Sequence, residues 1–165
     1  MNNRKVYISG EIVPEVDAKI SIFDSAVLLG DTVTESTRTF NFKPFKLDEH
    51  LERLYKSFKL TRIDPQMTIE EMKKVSLELL EINKDNYKAN EDCWLVHNIS
   101  RGHSITGGNP ALQVSKPTVM IYTQPMNLVL WAPFYTKGCH AVTPPTRMVP
   151  SQSLDARIKN RSRLF

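Results

Sequence analysis

The sequence predicts an α+β fold. Several short apolar segments are joined by tight turns, which is typical of antiparallel hairpins rather than of a parallel sheet. Two longer segments instead carry apolar residues at the spacing of a helix. The 165 residues are 41% hydrophobic and 24% charged, an ordinary globular composition that excludes global disorder. A chain of this length can bury a core without metal or disulfide support.

The first 47 residues predict a hairpin followed by a long strand. Val6–Ile8 and Ile12–Val13 flank a turn that contains Gly10. Residues 32–40 are rich in β-branched side chains, which favour a strand. Residues 41–44 include Asn and Pro and predict a turn, so we expect residues 45–47 to pair back on that strand.

Two helices are predicted next, and each shows an apolar face. The face of the first helix, for which Asp48 is the expected N-cap, consists of Leu47, Leu51, Leu54 and Phe58. The second helix begins with a capping box formed by Thr68 and Glu71. Its apolar stripe consists of Met72, Val75, Leu79 and Ile82.

The remaining sequence predicts more strands and a domain boundary. Strands are expected at residues 94–99, 119–122, 128–131 and 141–143, with a loop at residues 101–110. The proline-bearing break at residues 124–127 is the best candidate boundary. We therefore expect an N-terminal α+β domain over residues 1–124 and the start of a second domain over residues 125–165.

Basic residues are concentrated in one part of the chain. Residues 140–165 contain five basic side chains and one acid, whereas the preceding 139 residues are neutral in sum. A cluster of this kind is typical of a solvated tail, a phosphate-binding site or a nucleic-acid-binding segment. Aromatic residues for base stacking are not interleaved with it, which makes nucleic acid the weaker interpretation.

Several other classes of protein are not expected. Cys93 and Cys139 are far apart and lack metal-ligand spacing, so neither a disulfide scaffold nor a zinc site is predicted, and a reducing cytoplasm is the default compartment. The four histidines show no ligand spacing. We expect neither a signal peptide nor a membrane span, because the apolar runs are too short.

Two groups of polar residues are candidates for binding. Thr34, Ser36 and Arg38 fall on one face of the predicted strand, where two hydroxyls and a guanidinium could bind a carboxylate. A solvated sheet face gives the same pattern. Arg53 lies opposite the apolar face of its helix, so periodicity alone predicts an arginine on the surface.

Lys159 is the candidate nucleophile. It stands among Arg157, Arg161 and Arg163, and like charges disfavour the ammonium form. A neutral amine is the species that attacks a carbonyl to form a Schiff base.

At this point the chain resembles the class IV aminotransferases, the pyridoxal-phosphate enzymes of fold type IV. This family includes branched-chain and D-amino-acid aminotransferases and aminodeoxychorismate lyase. The similar segments, which together extend over nearly the whole chain, are residues 21–24 with 30–31, 33–38, 47–54 and 155–164. Their order and separation make the resemblance specific.

The resemblance implies a role for each matching residue. Lys159 matches the lysine that forms the Schiff base with pyridoxal phosphate, and Arg53 in His-Leu-Glu-Arg-Leu matches the arginine that binds the cofactor phosphate. Thr34, Ser36 and Arg38 match positions on the substrate side of the cofactor. Arg101 and the loop after it resemble the segment that closes over the site, often across a homodimer interface.

Three departures from the family pattern affect the expected function. The position of Thr34 is usually aromatic, which implies a wider or more polar substrate pocket. Lyase members usually lack an acid where Glu35 stands, which favours an aminotransferase. Family members are considerably longer, so the acid that pairs with the pyridine nitrogen is expected after residue 165 and the chain is expected to be only part of an enzyme.

The expected activity is therefore pyridoxal-phosphate-dependent transfer of an amino group between an amino acid or amine and a 2-oxo acid. The alternatives are an aminodeoxychorismate lyase-like enzyme on the same fold, a catalytically silent fragment that binds a partner, and a basic nucleic-acid-binding module formed by residues 147–163.

Overall fold

The computed structural model describes residues 3–88, 91–103 and 116–162. Six strands form one sheet in the order β2-β1-β6-β5-β3-β4, and every pairing is antiparallel. The strands are β1 (Lys5–Ile8), β2 (Glu11–Pro14), β3 (Thr32–Phe40), β4 (Lys43–Pro44), β5 (Cys93–Ser100) and β6 (Thr118–Pro125). The α-helices are α1 (Ser25–Leu29), α2 (Leu47–Thr61), α3 (Ile69–Asn83) and α4 (Leu128–Lys137). The predicted α+β class is confirmed.

The predicted N-terminal hairpin and the long strand are both present. β1 pairs with β2 through Val6 opposite Val13, and the turn between them places Gly10 at φ 113°, a conformation that favours glycine. β3 spans the predicted residues 32–40. The strand that pairs back is Lys43–Pro44. Of the predicted residues 45–47, Phe45 donates its amide to the Arg38 carbonyl of β3, while Leu47 begins α2.

Helix α2 buries the predicted apolar face against the sheet. Leu47, Leu51, Leu54 and Phe58 are all buried. The predicted N-cap was wrong: Lys46 occupies the cap in a left-handed conformation, with no side-chain hydrogen bond to the helix. Asp48 lies in the first turn instead, where its negative charge interacts favourably with the positive end of the helix dipole.

Helix α3 begins with the predicted capping box. The Thr68 hydroxyl accepts from the Glu71 amide, and the Glu71 carboxylate accepts from the Thr68 amide. The buried face is rotated from the predicted stripe, since Ile82 is exposed while Asn83 is buried. The reason is non-local, because the Asn83 side chain exchanges two hydrogen bonds with the backbone of Lys5 on β1.

The two predicted strands after β6 are absent from the described residues. Residues 128–131 begin α4, whose Asn127 cap accepts from the Leu130 amide, and residues 141–143 pair with no strand. β6 pairs with β1 and β5 on its two sides, so neither segment pairs with the strand that precedes it. β6 ends at Pro125, near the expected boundary, and the division into two domains stays a prediction.

The core lies between the sheet and helices α2 and α3. It is formed by side chains of α2, α3 and the facing side of β1, β3, β5 and β6, among them Leu51, Leu79, Leu95 and Ile121. Most of the predicted loop, residues 104–110, lies outside the described residues. Among the residues that are described, no helix is long and apolar enough to cross a membrane.

Candidate active site

The carboxylate of Glu35 is the centre of a charged cluster beneath helix α2. Glu35 lies in the middle of β3 and has no exposed surface. Its strand alternates Thr34, Ser36 and Arg38 on one face with Val33, Glu35 and Thr37 on the other, and Val33 belongs to the core beneath the helices. The cluster therefore lies on the same side of the sheet as α2.

Helix α2 supplies two side chains to this carboxylate from positions three residues apart. Arg53 donates from Nε to Oε2 and from Nη2 to Oε1, both at 2.7 Å, a bidentate pair that fixes the plane of the guanidinium. His50 approaches Oε1 through Nδ1 at 3.0 Å. The same Nδ1 atom lies 3.3 Å from Nη2 of Arg53. It donates to Glu35 or accepts from Arg53 according to the tautomer of the ring.

Lys159 reaches the same carboxylate from a segment that lies along the edge of β3. Thr34 N donates to Lys159 O, and Arg161 N donates to Thr32 O, both at 2.9 Å. These bonds hold the backbone of Lys159 beside the strand. Its Nζ atom then donates to Oε1 of Glu35 at 2.7 Å.

The surrounding donors keep Glu35 ionised. Burial alone would raise the pKa of this carboxyl, but the hydrogen bonds from Arg53 and Lys159, with a further bond from the Ser36 amide, lower the pKa to about 2. The cluster thus contains one carboxylate and two cations. Its net positive charge suits an anionic ligand.

A cleft of about 400 Å³ lies beside the cluster. It is lined by Arg53 and by residues 148–149, 154–160 and 162. The Arg53 side chain is 51% exposed and that of Lys159 is 31% exposed, whereas Glu35 is 0% exposed. The two cations therefore border the cleft while the carboxylate lies behind them.

The structure brings together two of the predicted site residues, Arg53 and Lys159. Periodicity predicted a surface position for Arg53, and half of its side chain is indeed exposed, but its Nε and Nη2 atoms are bound to Glu35. The ionic partner of Lys159 is the Glu35 carboxylate, and Arg53, which binds the same oxygen, is the neighbouring cation. Arg157 is instead paired with Asp155.

The three predicted strand residues lie on the face of β3 opposite Glu35. Thr34 is buried and donates from its hydroxyl to the His97 carbonyl. Arg38 lies over the ring of Phe40, 3.7 Å from its centroid, and Ser36 lies between Thr34 and Arg38 on that face. Their predicted contact with substrate stays a prediction.

Arg101 follows β5 and is anchored to the end of α2. Its Nε atom is 2.7 Å from the Asp31 carboxylate, and its terminal nitrogens donate to the carbonyls of Thr61 and Arg62. These contacts satisfy carbonyls at the C-terminus of the helix. The predicted role of Arg101 in closing the site stays a prediction, since residues 104–115 lie outside the described chain.

The sequence analysis did not predict that Glu35 binds both Arg53 and Lys159, nor that His50 contacts the same carboxylate. A signal was available in the spacing of His50 and Arg53, which puts both on one side of α2. Another was the acid at position 35 within an otherwise uncharged stretch of the core-facing side of β3. In the described residues, no group of three His, Cys, Asp or Glu side chains is arranged to hold a metal ion.

The fold is similar to that of solved branched-chain aminotransferases. The T.th. branched-chain amino acid aminotransferase, in complex with N-(5'-phosphopyridoxyl)-L-glutamate, matches 97% of this chain and 51% of its own at a TM-score of 0.79 and 23% identity. The Thermoproteus uzoniensis enzyme, solved with norvaline, matches 95% of this chain and 51% of its own at a TM-score of 0.77 and 24% identity. At this identity the likeness shows the fold alone.

Curated relatives are similar in sequence as well. A Methanocaldococcus jannaschii protein assigned as a branched-chain-amino-acid aminotransferase is 36% identical over 94% of this chain and 51% of the relative. A D-alanine aminotransferase of Staphylococcus epidermidis is 32% identical over 73% of this chain and 41% of the relative. The chain thus spans about half the length or less of these relatives.

The family model of the class IV aminotransferases matches residues 32–165. This range contains β3 with Glu35, the α2 residues His50 and Arg53, and the segment that carries Lys159. The match therefore includes every residue of the charged cluster, and the chain belongs to the class IV aminotransferase family.

Proposed function

We propose that this protein takes part in pyridoxal-phosphate-dependent transfer of an amino group between an amino acid or amine and a 2-oxo acid. In this proposal Lys159 attaches the cofactor and Arg53 binds its phosphate. The observation that carries the proposal is the meeting of Lys159 and Arg53 on the carboxylate of Glu35, at the edge of a cleft.

The chemistry of the donor set fits such a cofactor. Pyridoxal phosphate has an aldehyde, which requires an amine, and a phosphate, for which a guanidinium is a suitable donor. Lys159 and Arg53 supply these two groups on one side of the cleft, and both side chains retain exposed surface there. The net positive charge of the cluster also favours a phosphate dianion.

The residues of this chain have distinct tasks in the proposal. Arg53, whose guanidinium plane is fixed by Glu35, orients the phosphate, and Lys159 holds the cofactor and moves the proton at its own Nζ atom. When bound, the cofactor supplies the electron sink for amino transfer. Thr34, Ser36 and Arg38 are proposed to recognise the substrate, and Arg101 to lie at the entrance of the site.

The substrates and partners follow from the family at the level of chemical class. The relatives' names indicate branched-chain amino acids or D-alanine as amino donors, and a 2-oxo acid is the acceptor. A homodimer in the cytoplasm completes the proposal. The binding of nucleic acid is disfavoured, because Asp155 pairs with Arg157 and Glu35 pairs with Lys159.

The decisive experiment is to identify the lysine that attaches the cofactor. The purified protein is incubated with pyridoxal phosphate, reduced with borohydride and digested, and the labelled peptide is mapped by mass spectrometry. We expect an absorption band of bound cofactor and a label on Lys159. A label spread over other lysines would reject the assignment.

An activity assay then separates the two reaction types. Amino transfer to 2-oxoglutarate or pyruvate supports the aminotransferase. Release of pyruvate from aminodeoxychorismate without any amino acceptor would instead support the lyase.

A further inference from the structure

The buried charge of Glu35 requires an explanation beyond folding. A carboxylate without exposed surface costs desolvation energy, and replacing a buried ion pair by apolar residues of similar volume is often neutral or stabilising. The neighbouring core-facing positions of β3 are Val33 and Thr37, which bury without charge. A charged residue between them is therefore expected to serve the site rather than the core.

The geometry at Glu35 determines the direction of both cations. Its Oε1 atom accepts at 2.8 Å from the Ser36 amide, which ties the carboxylate to the rigid backbone of β3. The same oxygen accepts from Lys159, and both oxygens accept from Arg53. The amine of Lys159 and the guanidinium of Arg53 are therefore held at a fixed spacing by the same carboxylate.

We infer that Glu35 is a positioning residue, which sets the spacing and direction of Lys159 and Arg53 for the cofactor. Glu35 is too deeply buried to reach a ligand in the cleft, so it acts through these two residues. This inference rests on the proposed function. It assigns to Glu35 the alignment of the aldehyde-binding amine with the phosphate-binding guanidinium.

Among the described residues, four titratable or charged side chains face Glu35 and have to be considered when the site is titrated. From α2 these are His50 and Arg53, and from the segment beside β3 it is Lys159. From β5 it is His97, which lies opposite Glu35 in the register. Ser76 donates its hydroxyl to the Met72 carbonyl and so accepts from Nε2 of His97. Burial lowers the pKa of His97 to about 4, which keeps the ring neutral near pH 7.

The test compares Glu35→Gln and Glu35→Asp with the wild-type protein. Glu15→Gln is the matched control, because Glu15 also binds an arginine through two hydrogen bonds, at 2.9 and 3.0 Å, but remote from Lys159. Four quantities are measured: the melting temperature, the dissociation constant for pyridoxal phosphate, the fraction of borohydride-fixed label on Lys159, and the pH midpoint of the bound cofactor's absorbance.

We expect Glu35→Gln to weaken cofactor binding by at least about tenfold and to reduce the labelled fraction on Lys159. The pH midpoint should fall by about 1–3 units, because the negative charge of Glu35 no longer favours the protonated form of the bond between Lys159 and the cofactor. Glu35→Asp keeps the charge but is one methylene shorter, so the midpoint should stay while the affinity still weakens. Glu15→Gln should change neither the affinity nor the midpoint.

Wild-type affinity, label and midpoint in a folded Glu35→Gln protein would overturn the inference. If that variant does not fold, wild-type affinity in Glu35→Asp would overturn it, because the spacing would then not depend on Glu35. Either result leaves the proposed function intact as long as the wild-type protein is labelled on Lys159. An unlabelled Lys159 in the wild type would instead reject the proposed function.

Discussion

The Nζ atom of Lys159 lies 2.7 Å from Oε1 of Glu35, a residue 124 positions earlier in the chain. The contact joins a segment at the edge of the sheet to the middle of β3, and Arg53 on α2 binds the same carboxylate. Three separate parts of the chain therefore meet at one buried charge. This arrangement leads to predictions for the site, and the packing around it leads to predictions for stability.

Replacement of Arg53 by alanine should weaken the binding of pyridoxal phosphate by at least about tenfold, equal to about 1.4 kcal/mol. The physical reason is the loss of charge-assisted hydrogen bonds to the phosphate. The dissociation constant is measured by absorbance titration of variants that keep the wild-type circular dichroism spectrum. Lys56→Ala, on the same helix but 76% exposed, is the control. An unchanged dissociation constant in Arg53→Ala would show that Arg53 does not bind the phosphate.

Replacement of Arg38 by leucine should impair substrate recognition without affecting the cofactor. The guanidinium lies over Phe40 and 4.0 Å from Asp92, on the face of β3 opposite Glu35, so its loss leaves the Lys159 cluster intact. We expect a higher KM or a lower kcat/KM, with an unchanged absorption spectrum of the bound cofactor. Lys43→Leu, an exposed cation on neighbouring β4, is the control. Loss of cofactor with normal substrate kinetics after reconstitution would contradict the assignment.

The buried face of α2 should dominate its contribution to stability. Leu51→Ala removes a side chain with no exposed surface and should lower the free energy of unfolding by about 2–5 kcal/mol. Leu60→Ala makes the same change on the same helix at a side chain that is 43% exposed, and should cost less than about 1 kcal/mol. Urea denaturation of both variants measures the difference, and equal losses would contradict the observed packing of α2.

His97 should make the folded state less stable as the pH falls. Burial lowers the pKa of His97 to about 4 from the ordinary value of 6.5, so between these values the unfolded chain binds a proton that the folded chain excludes. Stability is therefore retained above pH 6.5 and lost as the pH falls towards 4, by up to about 3 kcal/mol.

Replacement of His97 by glutamine should flatten this pH dependence, because glutamine can still donate to Ser76 but does not titrate. Urea denaturation at pH 7 and pH 4.5 measures the change in the free energy of unfolding. The exposed His140→Gln variant controls for the substitution itself. The same decline in His97→Gln and in the wild type would show that another group titrates in this range.

The sequence predictions were accurate where a feature depends on residues that are close together in the chain. The β1–β2 hairpin and the Thr68–Glu71 capping box were predictable, because a turn conformation and an N-cap depend on residues three or four apart. The Asp48 cap was wrong because Lys46 adopts a left-handed conformation that no pattern in the side chains indicates. Residues 128–131 were mistaken for a strand because a short apolar run does not distinguish strand from helix.

By itself, the sequence determined the α+β class, the apolar face of α2, the strand β3, and the family motifs that include Arg53 and Lys159. These properties depend on periodicity and on residues close together in the chain. Only the tertiary structure decided that Glu35, Arg53 and Lys159 share one buried carboxylate. Their meeting depends on the packing of α2 over β3 and on backbone hydrogen bonds between Thr34 and Lys159, and contacts between residues so far apart in sequence leave no periodic signal.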